Sequence, residues 1–169
     1  MMVVPSGTLP RKPTLPLPLP DVVPSASSPY ALFEVVVVQV GDQRFAVDVE
    51  HAVEIRGAEV LLQPDSGGDP VLPVRGQPLP VIDLRQRVGM PAFGEQCPAV
   101  LLVNAGPHLI ALAVDAVLDV ETLPVQQDRA TGGVPGGFSF CRRMVTLRPG
   151  EHMPLIDTGR LLAACPRAP

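Results

Sequence analysis

The chain is cut into short apolar runs of strand length. Tyr30–Val40 reads as a buried strand, because its apolar positions are nearly continuous and rich in β-branched Val. Gly41-Asp42 then supplies a two-residue hairpin signal, and Arg44–Val49 supplies the return strand. Val53–Ile55 and Val60–Leu62 are short strand candidates, and residues 65–70 form a Gly- and Asp-rich loop. Val71–Val74 and Leu79–Asp83 are strands around a turn at Arg75-Gly76-Gln77-Pro78, and Leu84–Val88 fits one helical turn. After a link at Pro91–Gln96 the pattern resumes. Ala99–Val103 and Leu109–Val114 form a second hairpin around Asn104–His108. Val117–Val120, Leu123–Val125, Arg143–Leu147 and Met153–Asp157 supply the remaining strands. Thr158–Cys165 is the one convincing helix, capped by Asp157 or Thr158 and stopped by Pro166.

The pattern is a repeat. Pro-Leu-Pro-Val-Ile-Asp-Leu at 78–84 matches His-Met-Pro-Leu-Ile-Asp-Thr at 152–158. Phe45–Ile55 matches Ile110–Val120 without a gap, placing Glu50 on Asp115 and Glu54 on Asp119. Two motifs repeated in the same order imply two copies of one small β unit. The expectation is an all-β chain with two small barrels, one from about 30–90 and one from about 97–157, closed by a helix at about 158–165.

Residues 1–29 differ in kind. They hold eight prolines, including Leu15-Pro16-Leu17-Pro18-Leu19-Pro20, so an extended, polyproline-like tail is expected. Pro10-Arg11-Lys12-Pro13 and Pro13-Thr14-Leu15-Pro16 both fit Pro-x-x-Pro, although such spacing is common in any Pro-rich leader. With so few apolar residues outside proline, the tail is expected to be dispensable for folding.

Charge and composition narrow the partners. The net charge is −4, the pI is near 5.3, Trp is absent and Tyr30 is the only Tyr. No basic stripe or stacking platform is present for nucleic acid. Cys97, Cys141 and Cys165 are odd in number and far apart, which fits a reduced, cytoplasmic setting. Residues 97–114 carry no Asp, Glu, Lys or Arg, but the turn at Asn104–His108 splits them, so they read as two strands and not as a membrane-embedded span.

Candidate chemistry is thin. His51, His108 and His152 are far apart, so no metal site is expected. Gly132–Gly137 lacks the Lys-Ser/Thr of a phosphate loop. Ser139 lies between two Phe residues and Cys141 has no local signature, so a hydrolase using either is the weakest reading. Asp83 and Asp157 occupy equivalent places. Paired acids can do acid–base work, but each stands where a helix begins, and capping is worth about 1 kcal/mol. Glu54 and Arg75 form the more pointed pair, either shaping a docking groove or bridging at the surface. No catalytic residue and no cofactor are expected.

With these residues in view, the chain resembles the CheW-like family of bacterial chemotaxis adaptors. The matching stretches are Arg44–Gly57, Val74–Arg85, Leu109–Val120 and Met153–Leu162. The resemblance implies two SH3-like five-stranded barrels around a shared apolar core, with a short C-terminal helix and no enzyme activity. It implies a cytoplasmic scaffold recruited to receptor arrays, bridging a CheA-type histidine kinase and a chemoreceptor cytoplasmic tip. The alternative is a stand-alone regulator that binds another protein. The receptor elements carry over to Val53, Glu54, Val74, Arg75 and Gly76. The chain departs from the family pattern at Pro70 and Pro73, where Gly and Asn are usual, so that strand must be an edge strand or broken. Ala111 and Met144 stand where Gly is common, which implies a weakened kinase contact at these positions.

Overall fold

The computed structural model describes residues 31–65, 67–124, 134 and 137–164. The Pro-rich tail, Tyr30, Cys165 and most of the Gly-rich loop before Phe138 lie outside the described residues. Among the described residues, twelve strands and two short helices follow in order: β1 (Leu32–Val40), β2 (Gln43–Asp48), β3 (Ala52–Arg56), β4 (Glu59–Val60), β5 (Val71–Val74), β6 (Gln77–Asp83), α1 (Leu84–Arg87), β7 (Gln96–Cys97), β8 (Ala99–Ala105), β9 (His108–Val114), β10 (Ala116–Pro124), β11 (Cys141–Arg148), β12 (Glu151–Ile156) and α2 (Thr158–Ala163).

Local chemistry sets the boundaries. Gly41 turns β1 into β2 at φ 59°, and Gly106 does the same for β8 and β9 at φ 62°. Asp83 accepts from the backbone N–H groups of Arg85 (2.9 Å) and Gln86 (3.4 Å), and Asp157 from that of Arg160 (3.0 Å). Both equivalent aspartates are therefore helix caps. β10 runs unbroken from Ala116 to Pro124, where the residue pattern suggested two strands. β7 pairs with β4 inside the stretch expected to be only a link. Leu62 reaches Val71 through a lone bridge instead of extending β4.

Two five-stranded sheets result, in the orders β10-β1-β2-β12-β11 and β3-β8-β9-β6-β5. The same order appears in both once each strand is replaced by its repeat equivalent. Even the parallel register is kept: Val81 opposes Ala111, and Leu155 opposes Ala46. The sheets curl into the two SH3-like barrels. The sequential division into barrels of about 30–90 and about 97–157 does not hold, however. Each hairpin takes the later strands of the other repeat: β3 pairs with β8, β6 with β9, β10 with β1 and β12 with β2. A strand's periodicity shows which of its faces are buried, not which strand lies beside it.

The core has three parts. Val35, Val37 and Ala46 join Leu123, Val145, Met153 and Leu155 inside one barrel. Leu72, Val74, Val81, Val100, Leu102, Ala111 and Ala113 fill the other. Between the sheets lie Val36, Val38, Phe45, Leu101, Leu112, Ile156 and others, with Phe45, Phe138 and Phe140 in mutual ring contact. The Val35–Val38 run is continuous because one face lines a barrel and the other the shared core. β5 is an edge strand, which accommodates Pro73 opposite Pro78.

Candidate functional site

The residues singled out in the sequence separate into surface and core. Glu54 lies on β3, one edge of its sheet, and Arg75 lies in the turn after β5, the other edge. The two approach within 3.6 Å, so the pair spans the ends of the curled sheet. Arg75 adopts φ 50° and Gly76 φ 78°, the two left-handed residues of a tight hairpin turn between Val74 and Gln77. A non-Gly residue in that region carries strain, and here the turn presents an Arg side chain that stays 86% exposed.

Glu54 has a nearer partner that sequence reasoning missed. Arg56 lies 3.3 Å from Glu54 and 2.5 Å from Glu59. Its guanidinium pKa is raised, first by the hydrogen bond to Glu59 and then by the charges of Glu59 and Glu54, with burial opposing. The signal was available: Arg56 follows Glu54 by two positions and so shares its strand face. The other face of β3 is apolar and uncovered. Val53 is 51% and Ile55 54% exposed, and Val60 and Leu62 are exposed nearby in sequence. Val53 thus sits on an open apolar surface beside a charged row.

Val74 and Ala111 are different. Val74 packs with Leu72 and Val81 in a barrel interior and cannot itself meet a partner. Ala111 is fully buried on β9, an interior strand, so the expected kinase contact through Ala111 is corrected. Its repeat equivalent, Ala46, fills the matching place in the other barrel. The shared small residue reflects limited room inside a narrow barrel. Met144 is half-buried on β11, an edge strand, opposite Pro154.

A second polar cluster joins the sheets. Asp115, at the crossing from β9 to β10, accepts the Gly41 N–H at 2.6 Å and bonds the Arg85 guanidinium. Its own N–H donates to the Gln39 carbonyl at 2.9 Å. Arg85 stacks 4.6 Å from the Phe93 ring centroid, and Phe93 N–H donates to Asp83 at 2.8 Å. Burial pushes the Asp115 carboxyl up, but the Arg85 bond, the Gly41 N–H and the Arg85 charge outweigh it and hold its pKa low.

The metal and nucleophile candidates sit on separate elements. His51 follows β2 in a single 3-10 turn, His108 opens β9, and His152 on β12 lies 2.8 Å from the Thr146 hydroxyl. Burial pushes the Cys141 thiol up to about 12, which leaves almost no thiolate near neutral pH and weighs against a nucleophilic role.

The CheW-like domain model matches residues 34–165, nearly the whole described fold. The chain belongs to the CheW-like family. Chemotaxis protein CheW of Rhizobium meliloti is 30% identical over 130 residues, covering 73% of this chain and 83% of that protein. A probable chemotaxis protein CheW of Rhizobium etli is 34% identical over 94 residues, covering 53% of this chain and 61% of that one. The solved scaffolding protein TtCheW from Thermoanaerobacter tengcongensis superposes with a TM-score of 0.59 at 19% identity, over 75% of this chain and 89% of that one. That likeness bears on the fold, and it agrees with the paired barrels. Among the described residues, no helix is long and apolar enough to cross a membrane.

Proposed function

We propose that this CheW-like chain is a non-enzymatic scaffold that couples a chemoreceptor cytoplasmic tip to a CheA-type histidine kinase at a cytoplasmic array. The observation that carries the reading is the β3 edge. Val53 and Ile55 offer exposed apolar anchors, and Glu54, Arg56, Glu59 and Arg75 form a charged rim. Such a surface recognises a helix or a barrel edge by shape, with the rim selecting orientation. Val53, Glu54, Arg75 and Gly76 meet the receptor, Val74 supports them from beneath, and Met144 marks the β11 edge for the kinase. The relatives named CheW support the chemotaxis setting.

Titrating a receptor cytoplasmic hairpin and a kinase regulatory domain against the wild type and Arg75→Glu tests this. The wild type binds both. Arg75→Glu loses the hairpin and keeps its fold. Failure of the wild type to bind either partner would sink the proposal.

A further inference from the structure

A groove of about 520 Å³ opens beside the crossing from β2 to β3, and its lining includes neither Glu54 nor Arg75. Its apolar lining comes from Leu32, Phe33 and Val49. Leu32 is 65% exposed, the most open large apolar side chain among those described. Glu34, Asp48 and Glu50 give the lining an acidic side, and Arg143 lies over the Phe33 ring at 5.3 Å. An apolar surface with an aromatic ring and one dominant charge fits an extended, proline-rich peptide with a basic flank.

The chain carries such a peptide next to the groove. Leu32 is both a lining residue and the first residue of β1, so the first 31 residues lead directly into the site. Among residues 1–30, Arg11 and Lys12 are the only cations and Asp21 the only acid. The cations stand immediately before Pro13 and the Leu15–Pro20 repeat. We infer that residues 9–20 dock in this groove on their own molecule, with Leu15 and Pro18, which share one face of a three-residue-per-turn helix, on Phe33 and Val49 and with Arg11-Lys12 against Glu34, Asp48 and Glu50.

Reach and entropy permit it. A polyproline helix rises about 3.1 Å per residue, so the Leu15–Pro20 hexapeptide covers roughly 19 Å. The residues between Pro20 and Leu32 give ample chain to turn back, and Ser25, Ser27 and Ser28 supply turn chemistry there. Proline has no N–H to desolvate and little freedom left to lose. A short tether raises the effective concentration to the millimolar range, so modest contacts suffice. The inference does not depend on the receptor and kinase reading: it uses none of the residues assigned to the receptor, and it meets the kinase edge only through Arg143, next to Met144 on β11.

The test uses the full-length chain and amide NMR. Two variants are compared with the wild type: Arg11→Glu with Lys12→Glu, and Asp48→Lys with Glu50→Lys. Each pair should shift Phe33, Glu34 and Thr122 amides in the same direction, and high salt should move the wild type the same way. The combined charge-swapped protein should return those amides toward their wild-type positions. Three results would overturn the inference. The tail variant could leave the groove amides unmoved, it could move amides elsewhere instead, or the shifts could depend on protein concentration and reveal a second copy's tail.

Discussion

The chain crosses from one sheet to the other at Glu50 and again at Asp115, two places that are equivalent in the repeat but held differently. At Asp115 the carboxylate collects a turn N–H from the first sheet and a guanidinium from the helix that follows β6. At Glu50 the residue is exposed and its own N–H donates to Asp48, at 2.9 Å. The cause lies in the helices. Arg85 follows Ile82-Asp83-Leu84, and Gly159 stands in its place after Ile156-Asp157-Thr158. Duplication supplied two crossings of the same geometry. One long cation decided which became a clamp and which was left open beside a groove.

The largest test of that difference removes each acid in turn. Asp115→Ala strands part of Arg85 and frees the Gly41 N–H, and should cost about 2 kcal/mol in urea unfolding. Glu50→Ala should stay within about 0.5 kcal/mol. Equal losses would show that both crossings are held alike.

Acid should then single out the clamp. The folded pKa of Asp115 lies below its ordinary value of 3.8. Its contribution is therefore complete above that value and is lost as pH falls through the folded one. Unfolding followed from about pH 5 downward should show a shallower decline for Asp115→Asn than for the wild type. Parallel curves would mean that other carboxylates dominate.

The paired glycines give a smaller contrast. Alanine at Gly41 or at Gly106 must adopt a left-handed backbone, costing about 1 kcal/mol. At Gly41 the new Cβ would also lie 2.8 Å from Met90 Sδ, while nothing lies within 4 Å at Gly106. Gly41→Ala should thus be the worse of the two by a fraction of a kcal/mol, since the end of Met90 can swing aside. The reverse order in thermal melts would place the strain elsewhere. Smallest of all is Arg75→Glu, because an exposed pair contributes at most about 1 kcal/mol. A swapped Glu54→Arg/Arg75→Glu protein should regain only part of any loss seen in the melt, because the swap also breaks the Arg56–Glu54 bridge.

Much of the fold was legible in the residues. Gly41-Asp42, the caps at Asp83 and Asp157 and the edge position forced on β5 by Pro73 all follow from local chemistry. Strand partners were not legible, because the β6–β9 and β12–β2 pairings are parallel and join different repeats. Glu54 and Arg75 were found at the surface. Val74 and Ala111 proved internal, since a small or branched apolar residue reads the same on either face of a strand. Arg56 went unnoticed although it shares a face with Glu54. Ala46 gave the missing clue to Ala111, being the same residue at the same place in the repeat.

The exchange of strands between repeats also sets a timetable for synthesis. The β1–β2 hairpin leaves the ribosome early with both of its long edges unsatisfied. Ala46 gains its neighbour only when Leu155 has been made, about a hundred residues later. At roughly 5–20 residues per second, the nascent chain carries open edges for several seconds or more. Neither half contains the partners that its own hairpin requires. A cut near Pro91 would therefore yield two fragments, each an incomplete sheet, that regain the fold only by finding one another.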